Sequence, residues 1–307
     1  MDQNNPESLH LKEHIRPILK LNPEERVNAL YQDRWIGYDR AVKIMKLLDD
    51  ILKQPIRIRP QCLLIVGEPN IGKTTIAIEF VKKHQCHTEE GTDTEGQQVS
   101  KPVINAIAPS TADEKALYIA LIDRFFSPFR PTDSKSKLRH QLITLLREFK
   151  TRMIVIDEIH NLLSGTASKQ REVMNALKNL SNELNISLVG VGTSEAVQVL
   201  HTDSQHASRF DVVELPKWDL DRKFLQLLAS YEQILPLRKH SKLSSKEMAP
   251  LLFNISEGNF GDLNRLLIEC TKEAINTGTE EITLEIITKF KTLKPTKGHR
   301  KIRSLSL

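Results

Sequence analysis

Gly67-Glu68-Pro69-Asn70-Ile71-Gly72-Lys73-Thr74 lies between an apolar run, Cys62 to Val66, and a helix-patterned stretch over 73–84. A glycine-framed loop of this spacing, ending in Lys-Thr and set between strand and helix, is a phosphate cradle. Its glycines let the main chain wrap closely around an anion, while its amides and the helix N-terminus face the oxygens. Lys73 then reaches the terminal phosphates and Thr74 ligates magnesium. The candidate nucleotide contacts are Gly67, Glu68, Pro69, Asn70, Ile71, Gly72, Lys73, Thr74 and the adjoining Thr75. ATP and Mg2+ are the implied cofactors.

Open α/β sheets bind ligands at the carboxyl ends of their strands, and the chain carries the pattern of such a sheet. Cys62 to Val66, Val103 to Ala108, Met153 to Ile156 and Ser187 to Val191 read as short buried strands. Helical stretches over about 73–84, 112–126, 137–149 and 169–184 separate them, which predicts a three-layer αβα domain with a parallel sheet. The polar stretch Thr88 to Ser100 reads as an exposed loop. Ahead of the core, Leu9 to Leu21, Glu24 to Tyr31 and Ala41 to Leu52 carry helical spacing, with Pro23 at a first-turn position. After Pro216 the pattern becomes helical only, over about 219–235, 244–256, 261–277 and 283–293, a small lid. Ser244 or Ser245 caps its second helix, with Glu247 in capping-box range. The expected organisation is a helical extension over 1–34, the αβα domain over 35–215, the lid over 216–293 and a basic tail over 294–307.

Met153-Ile154-Val155-Ile156-Asp157-Glu158 brings two carboxylates to the end of a buried strand. Beside a phosphate loop, Asp157 would hold magnesium indirectly, through water, and Glu158 would polarise the attacking water. His160 is a further candidate two residues on. The strand at 187–191 runs into Thr193, which either senses the γ-phosphate or fixes the water, or else caps the helix begun near Glu195, with Ser194 as its competitor. Arg209 precedes Phe210 between that strand and the lid, and is either a surface arginine or one that projects toward a neighbour's nucleotide.

Composition narrows the class. The net charge of +5 in 307 residues is too diffuse to specify a polyanion partner by itself. Part of it gathers in Lys291, Lys294, Lys297, Arg300, Lys301 and Arg303, a tail that is either basic and functional or merely solvated. Three separated cysteines, Cys62, Cys86 and Cys270, offer no disulfide framework or four-cysteine zinc site, and His84-Gln85-Cys86-His87 fits no common metal spacing. No apolar run reaches the ~20 residues of a membrane helix, and Met1 to Asn22 lacks the apolar core of a signal peptide. A cytoplasmic protein without a membrane partner is expected.

The order of phosphate loop, Asp-Glu strand, polar strand end, arginine and helical lid resembles the AAA+ ATPases over about residues 35–293. Within them the chain is most similar to the TniB and TnsC transposition ATPases. The likeness rests on Arg34-Trp35-Ile36-Gly37-Tyr38-Asp39-Arg40-Ala41, Leu64-Ile65-Val66-Gly67, Val155-Ile156-Asp157-Glu158-Ile159-His160-Asn161, Val189-Gly190-Val191-Gly192-Thr193 and Ser208-Arg209-Phe210. The resemblance implies Ile36, Gly37 and Tyr38 near adenine. Trp35 is there too or only in the core. In Gly261-Asp262-Leu263-Asn264-Arg265 a nucleotide-sensing arginine is expected where Asn264 stands, so Arg265 either serves as sensor or faces away.

Such proteins assemble with ATP into rings or filaments on duplex DNA, and the resemblance implies the same homo-oligomer here. A DDE-type transposase and a target-selection adaptor are the implied partners. Contacts to DNA would be to its backbone and independent of sequence, with Lys115, Arg130, Lys135 and Lys137 as candidates. The competing reading is a replicative helicase loader or replication initiator. An initiator is expected to continue into a winged-helix or helix-turn-helix domain, and the expected lid is followed only by 294–307. A signalling ATPase would be expected to carry sensor repeats.

Overall fold

The computed structural model describes residues 9–32, 35–55, 57, 59–90, 97–200, 209–292 and 296. Arg34, Ala207, Ser208 and the tail residues Lys294, Lys297, Arg300, Lys301 and Arg303 lie outside them. In chain order the elements are α1 Pro23–Leu30, α2 Asp39–Lys53, β1 Cys62–Val66, α3 Lys73–Lys83, β2 His87–Glu90, β3 Gln97–Ser100, β4 Val103–Ile107, α4 Glu114–Ile122, α5 Lys135–Glu148, β5 Met153–Asp157, α6 Ala167–Leu184, β6 Ser187–Gly192, α7 Val197–Leu200, β7 Phe210–Glu214, α8 Arg222–Glu232, α9 Met248–Ser256, α10 Phe260–Thr277 and α11 Leu284–Lys289. They form two compact units, one drawn from Arg40–Glu68 and Lys73–Pro216, the other from Met1–Asp39, Pro69–Gly72 and Lys217–Leu307.

The α/β unit is built on a five-stranded parallel sheet in the order β4-β5-β6-β1-β7. β1, β5 and β6 are buried along their whole length, as strands covered on both faces must be, which is why their sequences are near-continuous apolar runs. α4, α5 and α6 begin on polar caps: Asp113 accepts from Ala116 N–H at 2.9 Å, Ser134 from Lys137 N–H at 3.2 Å and Thr166 from Lys169 N–H at 3.4 Å. β7 is a fifth strand that apolar patterning does not reveal. It pairs with β1 along one side as an edge strand, so most of its residues keep solvent access and no apolar run is required. Thr88 to Ser100 is not simply a loop, because β2 and β3 pair antiparallel within it. That ladder is made by main-chain bonds, to which a polar sequence is no obstacle.

The helical unit holds α1 and α8 to α11. Asn22 and Glu25 close a capping box on α1, with Pro23 at its first position. Leu9 to Leu21 forms only a 3-10 turn, Arg16–Lys20. Pro17 disfavours the α conformation at Arg16 and supplies no amide. The second lid helix starts at Met248, with Ser245 accepting from its amide at 3.2 Å, and Glu247 takes no capping-box role. Arg26 is buried and makes a bidentate pair with Glu280, at 2.7 and 2.6 Å, and donates to Pro236 O at 2.6 Å. That fork ties α1 to the segment ahead of α11.

Candidate nucleotide site

In the α/β unit the strand order brings the carboxyl ends of β1, β6 and β5 side by side. β1 opens into Gly67 and Glu68, and α3 begins at Lys73, whose ammonium is buried and donates to Gly67 O at 3.0 Å and Glu68 O at 2.8 Å. Burial pulls the Lys73 pKa down, and the charges of Glu158 and Asp157 oppose that shift. The lysine and the two carboxylates therefore belong to one electrostatic neighbourhood. Thr74 and Thr75 are exposed on the first turn of α3.

Asp157 closes β5, buried, and one of its oxygens accepts the Glu158 amide at 2.8 Å. Glu158 follows in the left-handed region at φ 53° with its carboxylate partly open to solvent. Thr193 follows β6, and the Thr193 hydroxyl makes no capping bond to the turn Ser194–Ala196. Its oxygen is buried and finds no hydrogen-bond partner among the described residues. The capping alternative for Thr193 is thus not realised.

Arg209 is at the other edge of this sheet. Cys62 N–H donates to Arg209 O at 3.1 Å and Cys62 pairs in register with Phe210, so Arg209 stands at the amino end of β1. Five strand residues at ~3.3 Å each put roughly 16 Å between it and the loop, too far for it to act on its own chain's phosphates. Its guanidinium donates to Asn182 Oδ1 on α6. Among the candidate DNA contacts, Lys115 donates to Pro131 O at 2.6 Å, Lys137 pairs with Asp133 at 2.7 Å, and Lys135 pairs with Glu172 and Glu114. The main chain of Arg130 donates to Asp133 at 2.9 Å. Composition alone does not reveal these local pairings.

In the helical unit the loop tip, Pro69–Gly72, is gripped by the start of α10. Gly261 N–H donates to Asn70 O at 2.9 Å and Asn259 Nδ2 to Pro69 O at 3.0 Å. Asn70, at φ 61°, donates to Asp262 Oδ1 at 3.0 Å and Thr296 Oγ1 at 3.1 Å, and Thr296 donates to Asp262 at 2.7 Å. Gly72 sits at φ 98°, where a β-carbon would also come within 3.3 Å of the Phe260 ring. Tyr38 is buried against Trp218, 5.1 Å between centroids, and Phe260, 5.4 Å; Ile36 is buried and Gly37 exposed.

Arg265 is exposed on α10. At 100° per residue it projects about 40° from Gly261, between Gly261 and Asp262. It therefore lies on the side of the helix that meets Asn70, whereas Asn264 is turned off it. The sequence does not mark Asn259, Asp262 and Thr296 as partners of the loop. Only the cap character of Asn259, which accepts from Gly261 and Asp262 amides, is written locally.

The family described as "Bacterial TniB protein" matches residues 26–220. The chain belongs to the TniB family. The ATP-dependent Clp protease ATP-binding subunit ClpE of Bacillus subtilis is 24% identical over 165 residues, 53% of this chain and 21% of ClpE. Among solved structures, the ORC2 protein of Aeropyrum pernix in its ADPNP-ADP complexes matches with a TM-score of 0.55 at 15% identity, over 86% of this chain and 70% of that one. Cdc6p of Pyrobaculum aerophilum matches at 0.57 with 16% identity, over 85% and 69%. The Aeropyrum pernix ORC1 protein in complex with DNA matches at 0.52 with 14% identity, over 87% and 68%. The TniB chain has the AAA+ fold, a parallel αβα sheet with a helical C-terminal region. No helix among the described residues is long and apolar enough to cross a membrane.

Proposed function

We propose that this TniB-family chain is an ATPase that assembles on duplex DNA in its ATP state and there recruits and activates a transposase, with hydrolysis resetting the assembly. The observation that carries the reading is the convergence of Lys73, Asp157, Glu158 and Thr193 at the carboxyl edge of one parallel sheet in a chain of this family. Lys73 and the loop amides hold the phosphates, and Thr74 and Asp157 hold Mg2+, which would neutralise charge on the phosphate oxygens. Glu158 takes a proton from water as the water oxygen bonds to the γ-phosphorus. The bond to the bridging oxygen breaks, its electron pair leaves with ADP, and the proton passes to the phosphate product.

Arg209, remote from its own loop, is assigned to the neighbouring subunit's nucleotide, so the complete site needs two chains. Ile36, Gly37 and Tyr38 are assigned to adenine, and Arg265 to sensing the nucleotide. Lys115, Arg130, Lys135 and Lys137 would exchange their local pairs for DNA phosphates, and the associated transposase and target-selection adaptor are taken to bind the assembled form. The likeness to replication initiators concerns the fold, whereas the family match covers residues 26–220. That favours transposition over helicase loading.

Two substitutions test the reading. Lys73→Ala is expected to abolish ATP binding measured by calorimetry. Glu158→Gln is expected to keep ATP binding and lower turnover by about 10²–10⁴-fold, the usual contribution of a general base. A Glu158→Gln protein that hydrolyses ATP at the parental rate would remove the base from the proposal.

A further inference from the structure

The chemistry above gives no role to His160, at the carboxyl edge of the sheet. His160 lies in the 3-10 turn Ile159–Leu163 that follows Glu158. The Thr193 amide donates to its Nδ1 at 3.5 Å, and its Nε2 stands 3.2 Å from Glu158 Oε2. A ring nitrogen that accepts from an amide carries no hydrogen, so the neutral imidazole has its proton on Nε2 and donates it to the carboxylate. His160 thereby bridges the end of β6 to Glu158.

The surroundings are shaped for this bridge. A β-carbon on Gly192 would come within 3.2 Å of His160 Nδ1 and 3.3 Å of Ile159 Cγ2, so a side chain there would push the turn away. The Glu158 amide is fixed by its bond to Asp157 Oδ1. Its carboxylate, 49% exposed, would otherwise choose among solvent-facing rotamers, and the imidazole selects one.

We propose that His160 is a positioning residue for Glu158: it holds the carboxylate in the orientation used to take the water proton, and it makes that orientation depend on the residue that follows β6. A shift of Thr193 would then reach the base through two hydrogen bonds. This rests on the reading of Glu158 as the base.

The test uses the full chain with duplex DNA, measuring steady-state ATP hydrolysis and ATP affinity. His160→Ala is expected to lower kcat about 10–100-fold, the scale of misplacing a catalytic group, with KM and ATP affinity unchanged. His160→Gln keeps a donor near the Nε2 position and should recover most of kcat. His160→Asn keeps only an acceptor near Nδ1 and should not. Recovery by Asn but not Gln would mean that His160 merely anchors β6, and would overturn the proposal, as would equal losses of affinity and rate in all three variants. Parental kcat in His160→Ala beside an inactive Glu158→Gln would overturn this inference alone. Parental turnover in Glu158→Gln would overturn both.

Discussion

Two buried hydroxyls on neighbouring scales of polarity invite opposite expectations. Thr193 Oγ1 and Tyr231 Oη are both buried without a hydrogen-bond partner among the described residues. Thr193 follows a strand whose end lies beside the phosphate loop's strand, and its unmet hydroxyl is proposed to meet the nucleotide. Tyr231 packs beside Phe260, 5.9 Å between centroids, and burial drives its pKa well above the ordinary phenol value. An unsatisfied buried hydroxyl carries a desolvation cost of about 1–3 kcal/mol. Tyr231→Phe should therefore raise the melting temperature of the nucleotide-free protein, by about 1 kcal/mol of stability. A melting temperature that falls on removing the hydroxyl would show that it has a partner in solution.

At the scale of elements, the loop tip and α10 act together. Asn70 both adopts a positive φ and makes two side-chain bonds, to Asp262 and Thr296. Asn70→Ala should cost about 1–2 kcal/mol, from lost bonds and the left-handed backbone, and weaken ATP binding. Asn70→Gly restores the backbone freedom without the bonds, so a partial rescue of ATP affinity is expected by calorimetry; affinity unchanged in both variants would contradict a role for the clamp.

The same clamp marks the limit of what the sequence discloses. β1, β5, β6 and the loop are local patterns, and each forms where its pattern lies. β7 carries no such pattern because edge pairing does not demand apolar residues on both faces. The partners Asn70 and Asp262 are 192 positions apart, a separation that no periodicity encodes. Arg209 is recognisable as a residue type beside a strand, but its distance from the loop follows only from the pairing of β7 with β1.

A second tie in the helical unit reports on pH. Burial works against the charge on Glu280, but the hydrogen bonds and charge of Arg26, with help from Arg238, outweigh it and hold the carboxyl below its ordinary range. A carboxylate with a depressed folded pKa contributes stability that is complete above the unfolded value of about 4.3 and is lost as pH falls through the folded one. Melting curves below that pH should steepen with acid in the parent and flatten in Glu280→Gln. Parallel acid limbs would indicate that the pair contributes nothing to the pH dependence.

For the whole molecule, a net charge of +5 is small beside the number of phosphates that assembly would cover, and several candidate contacts are already paired within the chain. Single chains are therefore expected to hold duplex DNA weakly, with affinity coming from many subunits engaged at once. Nucleotide enters because Arg209 is far from its own loop, so the ATP state would be stabilised by the neighbour that completes the site. Electron microscopy of the chain with duplex DNA, in ATP with Mg2+, in a non-hydrolysable analogue and in ADP, tests this directly. Rings or filaments on DNA with ATP and the analogue, and their loss with ADP, are the predicted result; single particles in every nucleotide state would contradict it.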